Sequence, residues 1–127
     1  MRSKYLAFAM FAAMATVPVA ACSHSYTEAG DIAPASGLGV HVTNDNFLDM
    51  DVFAVSEGVA TRLGTVTGNS SRDFNVGGRY ANRDLSIVAT PIGGAGRAST
   101  GSLNVSGGQT IDFQIGSVLA NSSVMIR

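Results

Sequence analysis

Met50-Asp51-Val52-Phe53-Ala54-Val55, then Ser56-Glu57-Gly58, then residues 59–66 from Val59 to Val66, form the segment from which the fold is best read. Met50, Val52 and Ala54 alternate with Asp51, Phe53 and Val55, which is the two-residue period of a strand with both faces partly apolar. Ser56-Glu57-Gly58 reads as a tight hairpin turn in which Gly58 supplies a positive φ. Residues 59–66 are then the returning strand, closed by Thr67-Gly68-Asn69-Ser70.

The same grammar extends in both directions. Upstream, Leu38, Val40 and Val42 alternate with Gly39, His41 and Thr43 until Asn44-Asp45-Asn46 interrupts the run. Downstream, residues 72–76 make a short strand with Phe74 and Val76 on one face, ended by Gly77-Gly78. Leu85, Ile87 and Ala89 alternate with Ser86 and Val88 as far as Pro91, and Gly93-Gly94-Ala95-Gly96 is a flexible connection. Leu103 and Val105 belong to a Ser- and Thr-rich strand turned by Ser106-Gly107-Gly108-Gln109. Ile111, Phe113 and Ile115 then alternate with Asp112 and Gln114, and residues 123–127 form a last strand through Val124 and Ile126. No window of about 12 residues keeps a helical face. The pattern predicts an all-β fold over 37–127: an antiparallel β-sandwich of seven or eight short strands, Ig-like or transthyretin-like, with a small barrel as the alternative. A domain of this size buries about 60% of its unfolded surface, enough for a modest core of Val, Ile, Leu and Phe.

Ahead of the domain lies a segment of a different kind. Arg2 and Lys4 precede an apolar run over 6–15, and Pro18 breaks the hydrophobic stretch before small residues. These are the parts of a secretory signal peptide, expected over 1–21 and cleaved. The stretch falls short of the roughly 20 apolar residues of a spanning helix. Val19-Ala20-Ala21-Cys22 resembles the lipobox of bacterial lipoproteins, with the chain's one cysteine at the acylated position. The competing reading is a plain secretory signal with a chance cysteine after the cut. The resemblance implies a mature N-terminus lipidated on Cys22, anchored by more than one acyl chain. It also implies the outer membrane of a bacterial envelope, because Ser23 stands where Asp commonly marks inner-membrane retention. Residues 22–36 then form the lipidated cysteine and a flexible tether, with Gly30 and Pro34 among scattered polar residues.

Removing 1–21 leaves six basic side chains against nine acidic ones, a net charge near −3, no lysine and all 15 glycines. That composition excludes a basic nucleic-acid binder, a multidomain enzyme and a disulfide-stapled miniprotein. Chemistry is sparse. Asp45, Asp49 and Asp51 are a weak calcium candidate, but a count from Asp45 puts Met50 and Ser56 where an EF-hand needs Gly and Glu. An Asn/Asp-rich turn bonding its own backbone is the plainer reading, so no metal and no cofactor is expected. His41, on the outer face of its strand, is the one candidate for a small hydrolase, without a Gly-x-Ser-x-Gly beside it. Arg79 and Arg83 flank Tyr80 and, with Phe53, make a candidate contact patch for a glycan or a partner. Residues 98–104 carry little inward-pointing charge and are a candidate contact edge for an added strand.

Taken together, Val40-His41-Val42-Thr43-Asn44, residues 62–68, Phe74, residues 89–94, residues 105–111 and residues 122–126 resemble a group of small, uncharacterised bacterial lipoproteins. Similar chains carry Pro where Gly107 stands and Pro shortly after the Phe; this chain has neither. The likeness implies the β-sandwich and brings no functional residues. The expected function is a non-enzymatic, lipid-anchored envelope lipoprotein acting as a protein-interaction or structural module. A cell-wall glycan or saccharide-binding module is the alternative, and the expected partners are the membrane and an envelope protein.

Overall fold

The computed structural model describes residues 37–127. The signal segment, the lipobox with Cys22, and the tether expected over 22–36 lie outside the described residues. The described chain is an all-β sandwich of two sheets. One sheet has the order β4-β1-β8-β9, and the other has the order β3-β2-β5-β6 with β7 also on β5. The strands are β1 Gly39–Asn44, β2 Met50–Ser56, β3 Val59–Val66, β4 Ser70–Asn75, β5 Asp84–Pro91, β6 Ala98–Ser99, β7 Leu103–Asn104, β8 Thr110–Ile115 and β9 Ser123–Ile126.

Alternation does what the sequence predicts. Val40 and Val42 of β1, Met50, Val52 and Ala54 of β2, Leu85, Ile87 and Ala89 of β5, and Ile111, Phe113 and Ile115 of β8 all point inward and are buried. Gly39, His41 and Thr43 take the other face of β1. Each large side chain so buried contributes roughly 1.5–3 kcal/mol of transfer free energy, and the facing rows interdigitate into one core.

Two expectations need correction. The sandwich has nine strands among the described residues, not seven or eight, because residues 98–104 break into the two-residue strands β6 and β7 around a turn at Gly101. It is also not wholly antiparallel: β1 and β8 run parallel, with Val40 opposite Ile111 and Val42 opposite Phe113. A parallel pair needs a crossover between its strands, and here the whole second sheet and β4 lie in that interval.

The topology gives the sandwich two distinct ends. Gly37, where the described chain begins, accepts a hydrogen bond from Gly108 N at 3.0 Å. That end also carries the β2–β3 turn, the β4–β5 connection and the β7–β8 turn. The opposite end gathers the loops 45–49, 67–69, 92–97 and 116–122. A shift of register between Val52 and Phe53 gives β3 an extra residue opposite β2. Bulges of this kind re-aim side chains, and the half-buried Leu63 packs against the core there.

Candidate functional site

Beside the β2–β3 turn the surface holds an open cleft of about 310 Å³. The turn has positive φ at both central residues, 53° at Glu57 and 79° at Gly58, the backbone of the tight hairpin class that matches strand twist. Glu57 and Val59 form one wall, with Ser56 at the base. Ser56 donates to the Asp84 carbonyl at 2.7 Å and so ties the hairpin to the start of β5. The other wall comes from the short 3-10 turn Gly78–Tyr80 and the residues after it.

Tyr80 is buried, only 7% exposed, and its hydroxyl is 3.2 Å from Thr61 Oγ1. The Arg79 guanidinium lies over the Tyr80 ring, 4.8 Å from its centroid. Arg83 reaches Glu57 at 3.3 Å, with both side chains well exposed. The structure therefore brings together Arg79, Tyr80 and Arg83 of the expected patch. Phe53 is not part of it: its register partners on the outward face of the sheet are Arg62 and Val88, and the adjacent Thr61, which meets Tyr80, points to the opposite face. Glu57, Val59 and Thr61 are cleft residues that the sequence left unmarked. The sequence marks the Ser56-Glu57-Gly58 turn as a hairpin tip but not the connection that stands beside it.

The three aspartates of the calcium candidate are not gathered. Asp45 accepts from Gln114 Nε2 at 2.7 Å, and Asp49 accepts the Gly68 N–H at 2.9 Å. Asp51 accepts from Thr65 at 2.7 Å and Arg62 at 2.6 Å. Those bonds, the Thr65 hydroxyl first and Arg62 second, hold the Asp51 carboxyl below its ordinary value. Among the described residues no three His, Cys, Asp or Glu side chains come within reach of one ion.

His41 sits on the outward face of β1 with its Nδ1 2.6 Å from Asp73 Oδ1, and Thr43 Oγ1 is 3.4 Å from its Nε2. β1 is paired on both sides, to β4 and β8, and His41 stands directly opposite Asp73. The His41–Asp73 pair works as a cross-strand contact. Residues 98–104, expected as a contact edge, form the outer edge of the second sheet beside β5: Ala98 and Leu103 pair with β5, and Thr100 Oγ1 accepts the Ile87 N–H at 3.0 Å.

The loop end carries a different surface. Phe47 is 78% exposed, Val118 58% and Ile92 48%, on three separate loops. Those loops are cross-linked. Asn46 Nδ2 donates to the Ser117 carbonyl at 2.9 Å, Ile92 N to the Asp49 carbonyl at 2.8 Å, and Asn69 N to the Asn46 carbonyl at 2.9 Å. Gly68 packs so closely that a Cβ there would meet the Phe47 carbonyl. Three large apolar side chains thus stand on a braced platform at the end away from Gly37. Sequence patterning has no means of finding this cluster, since each residue looks like an isolated loop hydrophobe.

No family model and no curated protein matches the chain. Among solved structures it is similar to a protein from Eubacterium rectale determined by NMR, at 14% identity over 76% of this chain and 94% of that one, with a TM-score of 0.47.

Proposed function

We propose that this chain is a non-enzymatic module of the bacterial cell envelope, lipid-anchored through Cys22, whose sandwich engages an envelope protein through the Phe47–Ile92–Val118 end. The observation that supports the reading is the braced apolar platform itself. Water-exposed large hydrophobes on converging, mutually bonded loops are what a preformed protein-contact surface requires. The described chain begins at Gly37, at the other end of the strands from the platform. An Ig-like or transthyretin-like relationship belongs to the same proposal, supported by the packing of β4-β1-β8-β9 on β3-β2-β5. An outer-membrane address belongs to it as well, resting on Ser23.

The saccharide alternative rests on exposed aromatic faces, and the geometry narrows it. Tyr80 is buried under Arg79, and Phe53 is half-buried in a sheet face. Phe47, 78% exposed, is the aromatic side chain with a free ring for such a contact among Phe47, Phe53 and Tyr80.

Site-specific photocrosslinking in intact cells tests the leading reading. A crosslinking residue at Phe47 or Val118 is expected to give one reproducible protein adduct, and one at the exposed Asn104, beside the β7–β8 turn at the Gly37 end, none. Absence of adducts at both loop positions, with the protein sedimenting on purified peptidoglycan, would replace it by the saccharide reading.

A further inference from the structure

We propose that the cleft beside the β2–β3 turn is a second binding site, for a carboxylate of an acidic peptide, and that Glu57 holds the place of that carboxylate in the free protein. The site is independent of the loop platform and of the lipid anchor.

The charge distribution comes first. Residues 37–127 hold seven carboxylates and six guanidiniums, an excess of acid. The cleft reverses that balance, with Arg79 and Arg83 against Glu57 alone. Arg79 has no carboxylate partner among the described residues. Its stacking on Tyr80 orders the guanidinium without neutralising it. A guanidinium held this way keeps its fork of N–H donors for an incoming carboxylate, which it can take bidentately.

Glu57 supplies the second line of argument. It occupies the first central position of the turn at φ 53°, a place that favours Gly, Asn or Asp and strains other side chains. Its carboxylate is not held firmly there. It meets Arg83 by one contact of 3.3 Å, with 70% of the Glu57 side chain and 58% of the Arg83 side chain exposed. Exposed single-contact pairs of this kind contribute little. A ligand carboxylate bridging Arg79 and Arg83 can therefore displace Glu57, and the turn lets Glu57 swing into solvent.

The ligand is a peptide for two reasons. Tyr80 has no free ring face on which a sugar could stack. Val59, 66% exposed at the rim, offers an apolar contact for the side chain next to the bound carboxylate. The volume, about 310 Å³, matches the smallest class of ligand clefts and suits one acidic residue with its neighbour.

The test uses the full-length protein in detergent and the peptide acetyl-Ala-Ala-Ala-Glu with free carboxylates, followed by ¹H–¹⁵N shifts of backbone and arginine Nε–H groups. Three controls accompany it: the same peptide with Gln and an amidated end, inorganic phosphate, and circular dichroism of every variant. Saturable shifts at Arg79, Arg83 and Val59 with the acidic peptide alone are expected. Arg79→Lys and Arg83→Lys keep the charge but lose the fork, and should each weaken binding roughly tenfold. Glu57→Gln should strengthen it by about threefold. Equal binding of acidic and neutral peptides, shifts matched by phosphate, or weaker binding in Glu57→Gln would each overturn the proposal. So would the absence of saturable shifts in folded protein.

Discussion

Asn44 Oδ1 accepts the backbone N–H of Asn46 at 3.0 Å, and Asn46 Oδ1 in turn accepts that of Leu48 at 3.0 Å. These two linked Asx turns carry the chain out of β1 and across to β2 in the other sheet. Asn44 does more than turn the chain. Its Nδ2 donates to the Leu48 carbonyl at 2.8 Å, with longer contacts to the carbonyls of Val66 and Thr67, so one fully buried amide joins the ends of β1 and β3.

Asn44→Ala removes those partners while leaving buried carbonyls and an N–H unsatisfied. A loss of about 2–4 kcal/mol of unfolding free energy is expected, measured by urea denaturation with unchanged m-value. Asn44→Asp keeps the acceptor and removes the donor, and should be nearly as damaging. A change within about 0.5 kcal/mol for either variant would mean that this amide does not organise the crossover.

Much of this fold was readable in advance because side chains on a strand report their face by period two. Val40 and Val42 against His41 and Thr43, or Ile111 and Phe113 against Asp112 and Gln114, place the core without further help. The same rule separates Phe53 from Tyr80, although proximity of composition had grouped them. What period cannot report is which strands become neighbours. The parallel β1–β8 pair joins residues about seventy positions apart, and nothing local in either strand specifies it. The loop platform depends on that same pairing and on the two Asn amides, so it too became visible only in three dimensions. The Arg79-Tyr80-Arg83 cluster was readable as a local charge pattern. Its Glu57 wall was not, since hairpin tip and connecting loop meet only through the packing of β2 on β5.

Polar substitution of the platform should separate stability from binding. Phe47→Ser with Val118→Ser changes exposed side chains that contribute little to folding, so the urea midpoint should move by no more than about 0.5 kcal/mol in equivalent stability. The photocrosslinked adduct should be lost from positions elsewhere on the same loops. Gly68→Ala acts from beneath instead. Its methyl group meets the backbone carbonyl of Phe47, which cannot yield as a side chain would, and a cost of about 1–3 kcal/mol is expected with the platform displaced. A stable Gly68→Ala protein with native loop chemical shifts would show that the loops are not braced at this point.

Acid sensitivity should trace in part to Asp51. Its carboxyl is held below the ordinary value of 3.8 by the Thr65 hydroxyl and the Arg62 guanidinium. A carboxyl depressed in the folded state adds stability above its unfolded pKa, and that contribution disappears as pH falls through the folded one. Unfolding free energy should therefore fall as pH drops below about 3.8, and Asp51→Asn should flatten this part of the profile. Thr65→Val should flatten it too, because the leading hydrogen bond is removed. An Asp51→Asn profile parallel to the parent at all pH values would assign the acid sensitivity to other carboxylates.

The anchor is testable without reference to any partner. If Cys22 carries acyl chains, each buried CH₂ contributes about 0.8 kcal/mol of membrane affinity, and two or more chains hold the protein essentially permanently. Cys22→Ala removes all of it at once. The variant should take up no labelled palmitate and should move from the membrane pellet to the soluble fraction, or remain as uncleaved precursor. The domain over 37–127 contains no cysteine, so its urea midpoint after proteolytic release should be unchanged. This comparison matters because it distinguishes two origins of membrane retention. A Cys22→Ala protein that is processed, unlabelled and still membrane-bound would point to retention through the Phe47–Ile92–Val118 platform, and adding Phe47→Ser and Val118→Ser should then release it.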